Sequence, residues 1–364
     1  LRAVITARNT HGAGGPMRAV WLVLVGLLLT ACGAGQGQPS GPAPSASTRP
    51  APGEQACSSS VRIDGFSDAL DKTQFAGRFV GNLSSLAQQA DGNIAALSDR
   101  SLLFTLDGRT HRPIAVVPLA DEHGQRLDSE GLTIERDGTF LVSSEIEPSV
   151  RRYSRDGHLL GRVPVPDNLR VAPAGRARDN LTFEGLTEAP DGRTLTASME
   201  AALSGDQGDL VRLQTWSRAG DGAFTPAAQY GYRVDPGLGV SEINALGDGR
   251  LLVLERGFLP GFGNTVRLYL ADPRQADDVS AVVDLTGAPP ARLVNRTLLA
   301  DLGRCPDLGA PAKAAQANSL LDNIEGMTIT GRDPMGALQL LLVSDDNQSG
   351  SQTTRLYSLT VTPR

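Results

Sequence analysis

The sequence predicts an all-β fold, and within it a β-propeller, from three observations. A hairpin of one composition recurs five times, its copies lie roughly one blade apart, and strand-like segments open and close the chain where they can share a blade. Six blades are favoured, with five or seven as the alternatives.

The clearest copy is residues 128–145, D-S-E-G-L-T-I-E-R-D-G-T-F-L-V-S-S-E. Apolar residues alternate on both sides of Asp137-Gly138, the pattern of an antiparallel pair closed by a tight turn. Glu130 lies seven residues before Asp137 and Glu145 seven after Gly138, so both acids fall at the open end of the hairpin. Variants occupy 181–200, 241–256 and 323–346, with a weaker copy at 83–100. The same symmetry pairs Glu242 with Glu255, Glu184 with Met199 or Glu200, Ser85 with Asp99, and Glu325 with Asp345. Positions 85, 130, 184, 242 and 325 are separated by 45, 54, 58 and 83 residues, against ~40–50 for a four-stranded blade. The long last interval leaves room for a degenerate blade, since 281–285 and 293–302 are strand-like. Residues 310–321 read as a short helix over one mouth of the ring. At the two ends, 61–66 and 355–361 are the segments expected to close the ring and remove an exposed sheet edge.

Residues 17–32, M-R-A-V-W-L-V-L-V-G-L-L-L-T-A-C, have an early arginine, an apolar run and small residues before a cysteine. The run is short for a membrane-spanning helix, which needs about 20 apolar residues, and suits a signal-peptide core. Leu29-Thr30-Ala31-Cys32 resembles a bacterial lipobox, which makes Cys32 the expected lipidation site; an ordinary secretory signal with an incidental cysteine is the alternative. Residues 1–16 look like translated upstream sequence. The expected organisation is therefore upstream residues and signal peptide at 1–31, a Gly/Pro/Ser-rich flexible linker at 32–57 and one propeller domain at 58–364. Such a chain is extracytoplasmic, tethered on the periplasmic or cell-surface side of a bacterial membrane. In that compartment Cys57 and Cys305 are expected to form a disulfide, the alternative being two free thiols.

The formal charge is −6, and removing 1–31 deletes three arginines and no acid, leaving −9. That balance argues against nonspecific nucleic-acid binding. Lysine occurs only at Lys72 and Lys313, so arginine carries nearly all the positive charge. A monomer acting on a small molecule is the expected state.

If each hairpin supplies the inner strands of a blade, Glu130, Glu184, Glu242 and Glu325 surround the channel at one mouth, with Asp99, Glu145, Glu200, Glu255 and Asp345 behind or beside them. Several carboxylates with amide oxygens from Asn180, Asn244 and Asn323 make a hard-oxygen site of the type Ca²⁺ prefers. The expected metal ligands are Glu130, Glu184, Glu242, Glu325, Asp345 and Asn244. Arg100 and Arg256 each follow one of the acids and can neutralise part of the ring. The competing reading is that the acids cap strand ends at blade junctions.

The E-G-L-T hairpins, S-E-I-N-A-L, L-E-R-G-F, N-I-E-G-M-T and L-V-S-D-D-N together resemble the phytase-like domain of bacterial proteins, described as having esterase-like activity of the phytase family. The resemblance spans roughly residues 62–361. It implies a β-propeller whose Glu and Asp residues bind metal and act on phosphoesters, and it falls on Glu130, Glu184, Glu242, Glu325 and Asp345. On that basis Glu130, Glu184 or Glu325 is the candidate general base, and Arg256 or Arg100 the group that stabilises phosphoryl charge. Ser85 departs from the pattern, standing where the other copies carry Glu.

The leading expectation is thus a Ca²⁺-dependent hydrolase of phosphomonoesters or phosphodiesters. One alternative is a lactonase-like propeller whose Ca²⁺ is held by Glu130, Asn180, Asn244 and Asp345. The other is a noncatalytic, calcium-stabilised propeller that binds a ligand or protein. Residues 122–127 (E-H-G-Q-R-L) lack the leading Arg and the Pro of a histidine-phosphatase motif, so His123 reads as a loop residue. No G-x-S-x-G elbow, Walker loop, or zinc-type Cys and His cluster occurs.

Overall fold

The structure, a computed structural model, describes residues 55–220, 222–286 and 292–363. The signal-like segment, Cys32 and nearly all of the linker lie outside the described residues. After β1 (Val61–Ser67) comes a small ribbon of β2 (Thr73–Phe75) and β3 (Arg78–Val80). Blade one is β4 (Leu83–Gln88), β5 (Ile94–Ser98), β6 (Leu102–Leu106) and β7 (Pro113–Pro118). Blade two is β8 (Ser129–Ile134), β9 (Phe140–Ser144), β10 (Ser149–Tyr153) and β11 (Leu159–Val163). Blade three is β12 (Phe183–Glu188), β13 (Thr194–Met199), β14 (Leu210–Ser217) and β15 (Thr225–Arg233). Blade four is β16 (Gly239–Ala245), β17 (Leu251–Leu259), β18 (Gly263–Asp272) and β19 (Asn295–Asp301). Blade five is β20 (Ile324–Arg332), β21 (Leu338–Ser344) and β22 (Leu356–Val361), with β1 as its outer strand.

The propeller therefore has five blades, not the favoured six. The 83-residue interval holds no further sheet among the described residues: 293–302 is strand, but as β19 it completes blade four on β18. Residues 281–285 form no strand. The expected helix at 310–321 is also absent. A segment of that length gains little from helix formation alone, and Arg355 holds its backbone instead, donating to the carbonyls of Pro311 (2.8 Å), Ser319 (2.9 Å) and Leu320 (2.8 Å).

The inner strands β4, β8, β12, β16 and β20 neighbour one another in a closed ring, and five apolar clusters fill the five blade interfaces. One joins blades two and three, for example, where Phe183 meets Trp216 edge to face at 5.9 Å. Because each sheet is covered on both faces, β5 and β9 are buried at every residue and lose the clean alternation of a half-exposed strand. The turns follow one rule. Asp91, Asp137, Asp191, Asp248 and Asp333 each accept, through Oδ1, the backbone N–H two residues on, at 2.9–3.0 Å. This is the Asx-turn geometry that makes Asp the preferred residue there.

Ring closure follows the expected route. β1 pairs antiparallel with β22, from Val61 opposite Val361 to Ser67 opposite Leu356. Cys57 and Cys305 are joined in a disulfide that spans 248 residues and fastens the start of the domain to the loop after β19. Closing so long a loop restricts the unfolded chain strongly, so Cys57→Ala/Cys305→Ala is expected to lose about 2–5 kcal/mol. Denaturant unfolding checks this, and an unchanged midpoint would mean that the bond adds no constraint the closed ring lacks.

Candidate active site at the acidic mouth

All five inner strands carry a register shift at the same level: between Leu83 and Ser85, Ser129 and Leu132, Phe183 and Leu186, Val240 and Glu242, and Ile324 and Gly326. Bulges of this kind re-aim side chains, and they define the true equivalences between blades. Leu86, Leu132, Leu186, Ile243 and Met327 are in register, opposite Ala96, Val142, Ala197, Val253 and Leu342. One residue earlier stand Ser85, Gly131, Gly185, Glu242 and Gly326. One earlier again stand Ser84, Glu130, Glu184, Ser241 and Glu325.

Blade four is thus one residue out of the expected register. Glu242 does not belong with Glu130, Glu184 and Glu325; it occupies the position that is glycine in three other blades. A one-residue slip turns a strand side chain to the other face, and the bulge makes that slip invisible to an alignment on E-G and S-E. Glu242 is buried near the axis. It accepts the Ser85 hydroxyl from blade one and the Ile243 amide at 2.9 Å. Burial pushes it up to about 8, against hydrogen bonds from Ser85 and from the Ile243, Leu186 and Met327 amides that hold it down. One side chain therefore ties together four of the five blades.

The glycines explain why it fits. A Cβ on Gly131 would lie 2.3 Å from the Glu184 carbonyl oxygen, and on Gly185 2.6 Å from the Ile243 nitrogen, so inner strands touch backbone to backbone. Gly185→Ala is expected to destabilise by about 1–3 kcal/mol through overpacking, read as a lower melting temperature. No change in melting temperature would contradict this close packing.

The outer members of the site are set by a second repeat. The amides of Asp99, Glu145, Glu200 and Asp345 donate to the carbonyls of Asn82, Asp128, Thr182 and Asn323 at 2.7–3.0 Å. In blade four the equivalent residue, opposite Gly239, is Arg256. One arginine thus replaces the fifth acid. Its guanidinium lies 2.9 Å from Glu325 and 3.7 Å from Glu200, and its buried Nε has no acceptor among the described residues. Arg100 pairs with Asp99 at 3.3 Å.

Within this mouth the carboxylates converge. Oxygens of Asp128, Glu130 and Glu145 lie within 4.8 Å of one another, and so do those of Glu145, Glu184 and Glu200. Glu145 is common to both groups and is oriented by the Thr182 amide at 2.6 Å. Glu325 is held by Arg256 and by the Asn323 side-chain amide at 2.8 Å. Glu130 and Glu184 are 8% and 5% exposed, yet among the described residues neither is ion-paired or accepts a hydrogen bond to its carboxylate. Burial, then the charges of neighbouring acids, raises both well above the ordinary carboxylate range. Burial and Glu200 raise Glu145 to about 8; burial raises Glu325 to about 8 against the pull of Arg256. Asp99, partly buried and near Asp345, rises to about 7, and Asp345 to about 6 through burial.

Of the expected residues, the structure brings together Glu130, Glu184, Glu325 and Arg256, with Asp345 bordering Glu325 and Asp99. It leaves out Glu242, Asn244, Glu255 and Asn180. The Asn244 side chain donates to the Ile243 carbonyl at 2.8 Å. Glu255 accepts Tyr232 (2.8 Å) of blade three and Arg296 (2.6 Å) of blade four, bridging the two blades. Asn180 is an exposed loop residue, as is His123. Glu145 and Glu200, expected behind or beside the ring, stand in it, and Asp128 joins them. Its signal was the D-S-E spacing, which puts two acids on one face of a strand; Asn323 and Thr182 at the equivalent place hid it.

These features define a five-bladed propeller with a cluster of buried, partly uncompensated carboxylates at one mouth. Residues 78–348 match the phytase-like family, described as "Esterase-like activity of phytase", and the chain belongs to that family. An uncharacterized secreted protein of Arthroderma benhamiae is 33% identical over 25% of this chain and 23% of its own length, so the match spans about a quarter of that relative. Among solved structures, a gluconolactonase from Xanthomonas campestris has a TM-score of 0.41 at 14% identity, covering 79% of this chain and 73% of that one. The PQQ-bound aldose sugar dehydrogenase of Streptomyces coelicolor has a TM-score of 0.41 at 14% identity, covering 85% and 100%. At that similarity they carry nothing about activity.

Proposed function

We propose that the chain is an extracytoplasmic hydrolase of phosphoric esters that works with a divalent cation, Ca²⁺ by donor chemistry, at the acidic mouth. The observation that supports this most directly is the pair Glu130 and Glu184. Two largely buried, mutually repelling carboxylates with no hydrogen bond or ion pair are costly to keep charged unless they take up protons or a cation. The donor set fits such an ion: Asp128, Glu130, Glu145, Glu184 and Glu200 offer only oxygens, as Ca²⁺ requires. When bound, the cation supplies charge neutralisation and polarisation of the phosphoryl group.

The chain's own residues do the rest. Arg256, braced by Glu325 and Glu200, presents a fixed positive charge to an incoming anion. Glu325, raised to about 8 and oriented from two sides, can hold or accept a proton near neutral pH and is the favoured general base. Glu242 with Ser85 crosses the axis between blades one and four. Export and lipid tethering at Cys32 remain part of the proposal, carried by residues 17–32; no helix among the described residues is long and apolar enough to cross a membrane.

The test is hydrolysis of a chromogenic phosphodiester, phytate and a lactone by the purified protein, with Ca²⁺ and then with excess chelator. Phosphoester turnover that disappears with chelator is expected. Turnover that survives the chelator, or of the lactone alone, would overturn the proposal.

A further inference from the structure

We infer that the ribbon formed by β17 and β18 is an apolar wall of the acidic mouth, so that the site takes a singly charged phosphodiester bearing an aromatic or alkyl group, not a polyanion. This rests on the proposed function for the phosphoryl group and goes beyond it in the substrate class.

β9 and β21 end at Ser144 and Ser344, just before the acids of the mouth, whereas β17 continues past Arg256 through Gly257, Phe258 and Leu259, opposite Thr265, Asn264 and Gly263. Side chains two apart on a strand share a face, so Phe258 stands on the face of Arg256, about 7 Å further out. Phe258 is 62% exposed, Leu259 63% and Phe262 53%. Three large apolar side chains this exposed on one hairpin tip mark a binding surface more often than chance. Phe258 also lines a cavity of about 310 Å³ with Asn264, Gln316, Asp322 and Ser351. Asp322 directly precedes Asn323, whose side-chain amide holds Glu325.

Charge points to the same substrate. The ribbon tip, G-F-L-P-G-F-G, has no lysine or arginine, and among the described residues Arg100 and Arg256 are the cations paired with the clustered acids. A polyanion would meet repulsion that one or two bound cations only partly offset. A monoanion needs one contact for its charge and leaves its apolar group for Phe258 and Phe262.

The test is calorimetric binding of diphenyl phosphate, dimethyl phosphate and phytate to the full chain in Ca²⁺, for wild type and Phe258→Ser/Phe262→Ser, after equal melting temperatures show that both are folded. Wild type is expected to bind diphenyl phosphate at least about tenfold more tightly than dimethyl phosphate, the gain from removing a phenyl ring from water. The double variant should lose most of that preference while its affinity for dimethyl phosphate stays within about twofold. Equal affinities in wild type, no binding of either ester, an unchanged preference in the variant, or tighter binding of phytate would overturn the inference. Preference without turnover of any phosphoester would sink the catalytic proposal and leave the apolar wall standing; turnover with no preference would do the reverse.

Discussion

Replacing Glu145 with glutamine is expected to abolish calcium-dependent behaviour without weakening the fold. Glu145 belongs to both groups of converging carboxylates, so no other single change removes a ligand from each. Glutamine keeps the oxygen that accepts the Thr182 amide and the shape of the side chain, so the local structure survives. It also deletes a charge that its neighbours repel. The metal-free variant should therefore be at least as stable as the metal-free wild type. The calcium-induced rise in melting temperature should disappear, and any phosphoester turnover should fall on the order of 100-fold or more. The two readouts move in opposite directions, which separates a ligand from a residue that merely supports the blades. A calcium-induced rise of undiminished size in Glu145→Gln would remove this site from consideration.

The second large effect is the pH dependence of the metal-free protein. Glu145 and Glu325 are raised to about 8, Asp99 to about 7 and Asp345 to about 6. A carboxyl whose folded pKa exceeds its unfolded value binds its proton more tightly in the native state. Its stabilising contribution is full below the unfolded pKa, near 4, and is lost as pH rises through the folded value. The metal-free propeller should thus be more stable at pH 5 than at pH 8, with a fall in melting temperature of roughly 5–10 °C for a loss of a few kcal/mol. This is opposite to the usual acid lability of proteins whose carboxylates are paired. Ca²⁺ should restore the melting temperature at pH 8 far more than at pH 5, since the ligands are then deprotonated. Thermal scans in chelator and in Ca²⁺ at both pH values check it. A metal-free melting temperature that rises from pH 5 to pH 8 would show that the buried acids are not held protonated.

Much of the fold was legible in the residues because the signals are local. An Asp-Gly turn between apolar runs makes a hairpin wherever it occurs, and five such hairpins with strand-like ends leave few alternatives to a closed ring. The blade count was not local. β19 reads as strand-like in isolation, and only its pairing with β18 shows that it finishes one blade instead of starting another. The 310–321 segment was lost to Arg355, 35 to 44 residues away, whose bonds to its carbonyls outweigh a weak helical preference. At the site, E-G-L and E-G-M mark Glu130, Glu184 and Glu325, which the structure places at one mouth, since the glycine after the acid is needed where inner strands touch. S-E-I-N misplaced Glu242 and Asn244, because motif matching has no means to detect a bulge.

By itself the sequence determined that this chain builds repeated hairpins with acids at their open ends, closed by its first and last strands, since composition and spacing act within a few residues. Tertiary structure decided how many blades close the ring and which acids share the mouth. It also made Arg256 the one cation in an otherwise acidic tier. The physical reason is that ring closure and bulge register depend on which strands pack side by side, and a shift of one residue there turns a mouth-facing acid into a structural plug.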